Sequence, residues 1–180
     1  MDDGHAPAII YEPNARVQKG IKFLLELAVT YTMSRDPYGE VMESEELAIF
    51  LEDQGIGTLS MGNEDGGYGI PMSFGYDRMK DRCILQLAFR EDSLKAQYIA
   101  RGNEVTLSTY DWETMYDWRS VVIRGTLHEL SPGESSLAGG IFAAFAKIAS
   151  PEVFQQPLPD LDFEWYELRI DDIHGRKAEA

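Results

Sequence analysis

Residues 69–77 read GIPMSFGYD, and the pattern of this segment is the main indication of the fold class. Its apolar side chains alternate with small or polar ones, which is the two-residue period of a β-strand with one buried face. Residues 56–61 form a second extended run, and the intervening residues 62–67, GNEDGG, are typical of a turn. Together these segments predict a β-hairpin with strands at 56–61 and 68–74.

Four further segments have strand character, at residues 83–89, 105–110, 120–130 and 163–173. Residues 75–82 indicate a turn, residues 111–119 a polar and aromatic interruption, and residues 150–162 a proline-containing connection. Apolar spacing and capping residues predict helices at 16–33, from Ser44 to near Gly55, at 92–101 with Asp92 or Ser93 as cap, and at 134–149. Because strands and helices do not alternate regularly, we expect a mainly β fold with flanking helices, a six-stranded antiparallel Greek-key barrel.

The composition excludes several classes of partner. The 180 residues include 31 acidic and 16 basic side chains, for a formal net charge of −15. Such a charge repels nucleic acid and anionic membranes, so we expect neither as a partner. Only six of the basic residues are lysines, a pattern that favours a halophilic source, with an ordinary acidic cytoplasmic protein as the alternative.

The single cysteine, Cys83, excludes an intramolecular disulfide framework, and its apolar neighbours predict a buried thiol in a reducing cytoplasm. Three scattered histidines have no metal-ligand spacing, so no metal is expected. The N-terminus lacks the pattern of a secretory signal, and the apolar stretch 21–33 is too short to span a bilayer. The usual hydrolase and nucleotide-binding motifs are missing from the sequence, and the catalytic residues are unknown.

Four spaced motifs stand out along the chain: LEDQGIG at 51–57, GIPMSFGYD at 69–77, SLKAQYI at 93–99 and WRSVVIRG at 118–125. In order and spacing they resemble the pyridoxamine 5′-phosphate oxidase-like family of FMN-binding split barrels. The first resembles the helix that leads into that family's first barrel strand, the second its second strand, the third its Ser-x-Lys helix and the fourth its aromatic-x-Ser-Val strand. The resemblance implies a six-stranded split-barrel domain of the FMN-binding type at 43–176, after an N-terminal extension at 1–42 and before a tail at 177–180.

The resemblance also implies a homodimer with two equivalent FMN sites at its interface. On the second strand the candidate contacts are Pro71, Met72, Ser73 and Phe74, with Ser73 on the flavin side and its two neighbours facing the opposite side. Ser93 and the first amides of its helix can receive a phosphate, with Lys95 adding a positive charge. The alternative is that Ser93 only caps the helix and the lysine is a surface residue.

Four more residues are candidates for cofactor binding. On the aromatic-x-Ser-Val strand, Arg119 suits phosphate or ribityl oxygens and Ser120 suits the ring system, whereas Trp118 is either a contact or an interface anchor. Gln86 stands where many relatives have a histidine, and its amide can still bind a ligand. Arg176, in the closing Gly-Arg motif, is expected to neutralise the acidic barrel end rather than to bind an anion.

The predicted function is therefore FMN binding, with flavin-dependent oxidation or reduction of a small molecule, and with a nicotinamide or a small oxidised compound as the redox partner. A flavin carries the electrons itself, so a catalytic side chain is not required. The alternatives are a protein that handles a deazaflavin or haem, and a non-catalytic flavin-binding protein. Oxidation of pyridoxamine phosphate is less favoured, because the basic substrate-phosphate residues and the C-terminal motif of that enzyme are not matched.

Overall fold

One antiparallel sheet contains all the strands of the described chain. The structure is a computed structural model and describes residues 39–64, 66–90, 93–148 and 161–178. The predicted helix at 16–33 and most of the connection at 150–162 lie outside these ranges. In chain order the strands are β1 (Glu40–Val41), β2 (Ile56–Asn63), β3 (Gly66–Asp77), β4 (Arg82–Phe89), β5 (Glu104–Thr114), β6 (Asp117–Glu129) and β7 (Asp162–Lys177).

The sheet closes into a barrel. Its strand order is β1-β7-β4-β3-β2-β5-β6, and β6 also pairs with β7, so the strands from β2 to β7 form a closed ring. Strands β2, β3 and β4 form a meander, and β5 returns to lie beside β2, which is the Greek-key arrangement. The predicted barrel is confirmed. The described sheet has seven strands instead of six, because the two-residue β1 pairs with the end of β7.

Several strands are longer than the sequence indicates. The predicted interruption at 111–119 is wrong, since β5 continues to Thr114 and β6 begins at Asp117. Trp112 is the register partner of Trp118, and their rings stack with centroids 6.4 Å apart. This cross-strand pair stabilises the outer end of the hairpin, so most of the polar and aromatic stretch at 111–119 belongs to the two strands.

Three helices flank the barrel: α1 (Ser44–Gln54), α2 (Leu94–Arg101) and α3 (Pro132–Phe145). α1 ends as predicted at Gly55, which has a left-handed φ of 57°. α3 begins earlier than predicted because Ser131 and Glu134 form a capping box with Pro132 at the first helical position, and it ends at Phe145 rather than 149. Within the described ranges no helix is long and apolar enough to cross a membrane.

The core has two parts, one on each side of β4. Inside the barrel, Leu59, Leu107 and Ile123 are register neighbours on three adjacent strands, and all three are completely buried. Cys83 is also completely buried, as predicted, and burial raises the pKa of its thiol. Outside the barrel, Ile84 packs with residues of α3 in a smaller cluster. Burial of this apolar surface supplies the main stabilising term for the fold.

A buried group of charged residues joins the β3–β4 turn to β7. Arg82 forms ion pairs with Asp77, at 3.0 Å, and with Glu167, and all three side chains are less than 10% exposed. Arg169 adds a 2.6 Å hydrogen bond to Glu167. Burial opposes the charged form of Glu167, but the hydrogen bonds from Arg82 and Arg169 outweigh it and lower the pKa of this carboxyl.

We predict that Glu167→Gln lowers the free energy of unfolding by about 3 kcal/mol at pH 7, because it removes one partner of a buried charged group. A carboxyl with a lowered pKa stabilises the fold above its ordinary pKa and loses this effect as the pH falls through the native value. The difference from wild type should therefore shrink in acid. Urea denaturation measured at pH 7 and at decreasing pH checks this expectation.

The control is Glu45→Gln, which removes the exposed ion pair between Glu45 and Arg78. It should cost less than about 0.5 kcal/mol, because exposed pairs contribute little. Equal losses in the two variants would contradict a special role for the buried group.

Candidate functional site

The barrel is split where β3 and β4 separate. Strand β4 pairs with β3 only over its first four residues, from Arg82 to Leu85. Its remaining residues, from Gln86 to Phe89, pair with β7 alone, and the part of β3 before Phe74 pairs only with β2. A gap therefore opens along β3, beginning at Ser73.

The edge of β3 that faces this gap carries backbone groups without ladder partners among the described residues. The Phe74 N–H donates to the Gly55 carbonyl on the β2 side, at 3.1 Å. Successive residues of an antiparallel strand direct their backbone groups to opposite sides, so the N–H of Ser73 and the C=O of Pro71 face the gap. A proline suits this position, because no N–H is required there.

A cavity of about 440 Å³ lies at the gap, a volume within the usual range for small-molecule sites. Most of its wall is apolar, and its polar side chains are few. The apolar lining residues are Tyr68, Ile70, Pro71, Met72, Ala88, Phe142, Ile148 and Phe163, and the others are Ser73, Gln86 and Lys95. We call this cavity the split pocket. Five predicted site residues, namely Pro71, Met72, Ser73, Gln86 and Lys95, line it.

Lys95 is the one basic side chain among the described residues that line the split pocket, and no acidic side chain lines it. Its Nζ donates to the Ala88 carbonyl at 2.6 Å and lies 5.2 Å from the centre of the Phe89 ring. Burial lowers the pKa of this amine. The ammonium group is thus held in partly apolar surroundings by one carbonyl and one ring face, and an anionic ligand group would improve its environment.

The Ser73 hydroxyl lies at a junction of three elements. It donates to the Lys147 carbonyl at 2.6 Å, and the Lys147 N–H donates to the Gly55 carbonyl at 3.0 Å. A Cβ atom at Gly55 would collide with the Phe145 carbonyl oxygen, so only glycine allows this approach. The junction holds Ile148 beside the split pocket.

Two of the other predicted residues have structural roles within one subunit. Ser93 caps α2, and its Oγ accepts a hydrogen bond from the Ala96 N–H at 3.4 Å. Phe74 is completely buried in the barrel core, on the side opposite to Ser73. Neither side chain lines the split pocket, although the start of α2 lies next to Lys95.

The residues predicted on β6 lie away from the split pocket, because β2 and β5 separate β6 from β3. Arg119 pairs with Asp111 at 3.0 Å, and its guanidinium lies 4.9 Å from the centre of the Phe50 ring. Trp118 stacks on Trp112. Ser120 is the register partner of Tyr110 on one side and of Arg176 on the other.

Pro71 and Ser73 of β3 and Ser120 of β6 nevertheless share the outer face of the sheet. Register partners on adjacent strands point to the same side, and Pro71, Thr58, Ser108 and Val122 form one such row. Ser73 pairs with Ile56 and Ser120 with Tyr110, in the next row. The outer face of these two rows contains no charged residue. Its large apolar side chains are well exposed: Ile56 44%, Tyr110 73% and Val122 41%.

Comparison with known proteins gives the family. The sequence model of the pyridoxamine 5′-phosphate oxidase family matches residues 43–177. The chain belongs to this family. A search of the curated proteins finds no match to the chain.

Solved structures share the split-barrel fold of the family. An FAD-binding protein from Mesorhizobium loti is 15% identical with a TM-score of 0.62, and the alignment covers 78% of this chain and 98% of that one. An FAD-binding protein from Mycobacterium smegmatis has 12% identity and a TM-score of 0.59, with coverage of 78% and 99%. A haem-binding protein from the same organism has 13% identity and a TM-score of 0.53, with coverage of 70% and 50%. At these identities the likeness shows the fold alone.

Several residues that line the split pocket were not predicted from the sequence. Tyr68 and Ile70 precede the motif on β3, and the alternation along that strand could have included them. Phe142 and Phe163 come from α3 and β7. No local pattern relates those two residues to β3, so only the closed barrel shows that they share a cavity.

Two larger depressions, of about 620 and 640 Å³, lie near the other end of β2 and β5. Their walls are mainly polar and charged, including Glu104, which lines both. The split pocket is a better candidate for a ligand site than either depression. It combines apolar walls with a few polar groups, as small-molecule sites do.

We predict that Lys95→Met leaves the free energy of unfolding at pH 7 unchanged or raises it, because burying an ammonium group opposes folding. An amine with a lowered native pKa makes the wild type more stable as the pH rises toward the ordinary lysine range. Any advantage of the variant should therefore shrink between pH 8 and about 11. Denaturant titrations of both proteins across this range measure the difference.

The exposed Lys80 provides the control, and Lys80→Met should change stability by no more than about 0.5 kcal/mol. A loss of more than about 1 kcal/mol in Lys95→Met at pH 7 would mean that the amine stabilises the fold through the Ala88 carbonyl and the Phe89 ring.

Proposed function

We propose that the protein binds FMN in the split pocket and is a flavin-dependent oxidoreductase that acts on a small molecule in the cytoplasm. The observation that carries the proposal is the combination in one cavity of a free strand edge, apolar walls and a single partly buried amine. A flavin needs each of these features. Its ring is flat and largely apolar, one edge of the ring is polar, and its side chain ends in a phosphate.

The ring suits the strand edge. The backbone N–H of Ser73 and the C=O of Pro71 supply one donor and one acceptor along the strand, and the Gln86 side-chain amide can donate or accept from the opposite strand. Apolar side chains such as Ile70 and Phe142 then cover the ring and exclude water. Ser73 would contribute mainly through its backbone, since its hydroxyl is bonded to the Lys147 carbonyl.

The phosphate suits Lys95 and the start of α2. The amine supplies positive charge, and the first N–H groups of the helix point toward an anion at its N-terminus. Ser93 supports this arrangement by capping the helix. Lys95 is the one basic side chain among the described residues that line the cavity. The backbone N–H groups at the start of α2 would therefore bind the phosphate together with Lys95.

When bound, the flavin supplies the chemistry by accepting and returning a hydride or electrons. The chain would position the ring, hold the phosphate and keep water from the apolar walls. No carboxyl or imidazole group lines the split pocket among the described residues. The protein would therefore act mainly through position and electrostatics. The family name does not specify the reaction, because one fold hosts several chemistries.

We further propose that two subunits pack through the two uncharged rows on the outer face of β3, β2, β5 and β6, which we call the uncharged outer face. Each chain carries a net charge of −15, so two copies can approach closely only where charges are scarce. Such packing would bring Trp118 and Ser120 of one subunit toward the split pocket of the other, whereas Arg119 points to the opposite side of β6, toward Phe50. Each of the two equivalent sites would then include residues from both subunits.

The first test is the ultraviolet-visible spectrum of protein purified in high salt, followed by mass identification of the molecule released on denaturation. We expect FMN at about one per subunit, and turnover of a nicotinamide or a small oxidant by the yellow protein. A released deazaflavin or haem would replace FMN in the proposal. Binding of FMN without turnover with any donor would leave a non-catalytic flavin protein. A colourless protein that does not bind added FMN would overturn the proposal.

The dimer is tested with Val122→Glu, which places a charge in the uncharged outer face. We expect this variant to be monomeric by sedimentation and to release FMN, because two carboxylates would face each other across the interface. The control is Leu137→Glu on α3, where the side chain is 59% exposed and lies outside this face. It should remain dimeric. Monomeric wild-type protein that retains FMN would contradict the proposed interface.

A further inference from the structure

The split pocket combines a local attraction with a distant repulsion for any anionic ligand. Among its described lining residues, the one basic group is the amine of Lys95. The whole chain has an excess of fifteen negative charges. Two acidic residues, Asp162 and Glu164, flank the pocket residue Phe163 along β7. An FMN phosphate therefore approaches one positive charge through a strongly negative field.

We propose that ionic strength controls whether the split pocket holds an anionic cofactor, with affinity rising as salt increases. This inference rests on the proposed function and adds its regulation. The sign is opposite to that of an ordinary ion pair between a protein and a phosphate, which weakens as salt increases.

The difference in sign follows from the distances over which the two effects act. The Debye length is about 10 Å at 0.1 M salt and about 3 Å at 1 M. Among the described residues, every acidic side chain except Asp77 and Glu167 is exposed or half-exposed, so salt screens its repulsion of the ligand. The amine of Lys95 is partly buried and would touch the phosphate directly, so salt screens this attraction less.

The expected size is measurable. An FMN phosphate carries up to about two negative charges near neutral pH. Screening its repulsion by the chain's net charge of −15 should raise the affinity on the order of tenfold between 0.1 and 2 M salt. Riboflavin has the same ring and no phosphate, so its affinity should change little by this mechanism.

The experiment measures the affinities of the full chain for FMN and for riboflavin by flavin fluorescence in 0.1 to 2 M KCl, and reports their ratio. We expect the ratio to rise about tenfold in favour of FMN. An unchanged ratio, with both flavins gaining affinity in parallel, would mean that salt acts on the fold, and would overturn the inference. A ratio that falls with salt would overturn it as well.

Two variants separate the local effect from the distant one. Lys95→Gln should weaken FMN binding at every salt concentration while leaving riboflavin binding nearly unchanged. Asp162→Asn removes one exposed carboxylate and should strengthen FMN binding at 0.1 M KCl more than at 2 M. An equal effect of Asp162→Asn at both concentrations would contradict screened repulsion. If neither flavin binds at any salt concentration, the proposed function fails and this inference fails with it.

Discussion

Backbone pairing along β4 is the constraint on which the site depends. This strand pairs with β7 over its whole length, and β7 also pairs with β6 to close the barrel. Closure therefore directs β4 away from β3 after Leu85. Buried backbone groups are costly without partners, so the strand edge that β4 leaves must meet solvent, side chains or a ligand. Polar groups in a row beside apolar walls are the direct result.

The same closure gathers the walls of the pocket from distant parts of the chain. α3 packs closely on β3 at Gly75. A Cβ atom at this position would lie only 2.8 Å from the Ile141 carbonyl oxygen, so the absence of a side chain allows the close approach. That approach places Phe142 at the gap, and the junction at Gly55 holds the residues after α3 beside Ser73. The cavity is thus part of the packed structure rather than a surface loop feature, which favours a site formed before a ligand arrives.

The distribution of charge separates stability from binding. The buried arginine, aspartate and glutamate at the base of β4 compensate one another and connect β3, β4 and β7. The pocket contains an amine without a carboxylate partner among its described lining residues, at a cost in desolvation. Binding sites commonly keep groups that cost stability, because a ligand can form the interactions that the folded chain leaves unmade. In the proposed dimer, the uncharged outer face would serve a second subunit in the same way.

Local sequence patterns determined much of this protein. Alternation and glycine-rich turns predicted the β2–β3 hairpin, Gly55 predicted the end of α1, and Ser93 predicted the cap of α2, because these features depend on neighbouring residues. Motif resemblance selected five residues of the split pocket and the family. Three features became visible only in the tertiary structure: the residue at which β4 leaves β3, the length of the β5–β6 hairpin, and the cavity that Phe142 and Phe163 share with Ser73. Those outcomes depend on barrel closure, which pairs residues far apart in the chain, and no local periodicity contains that information.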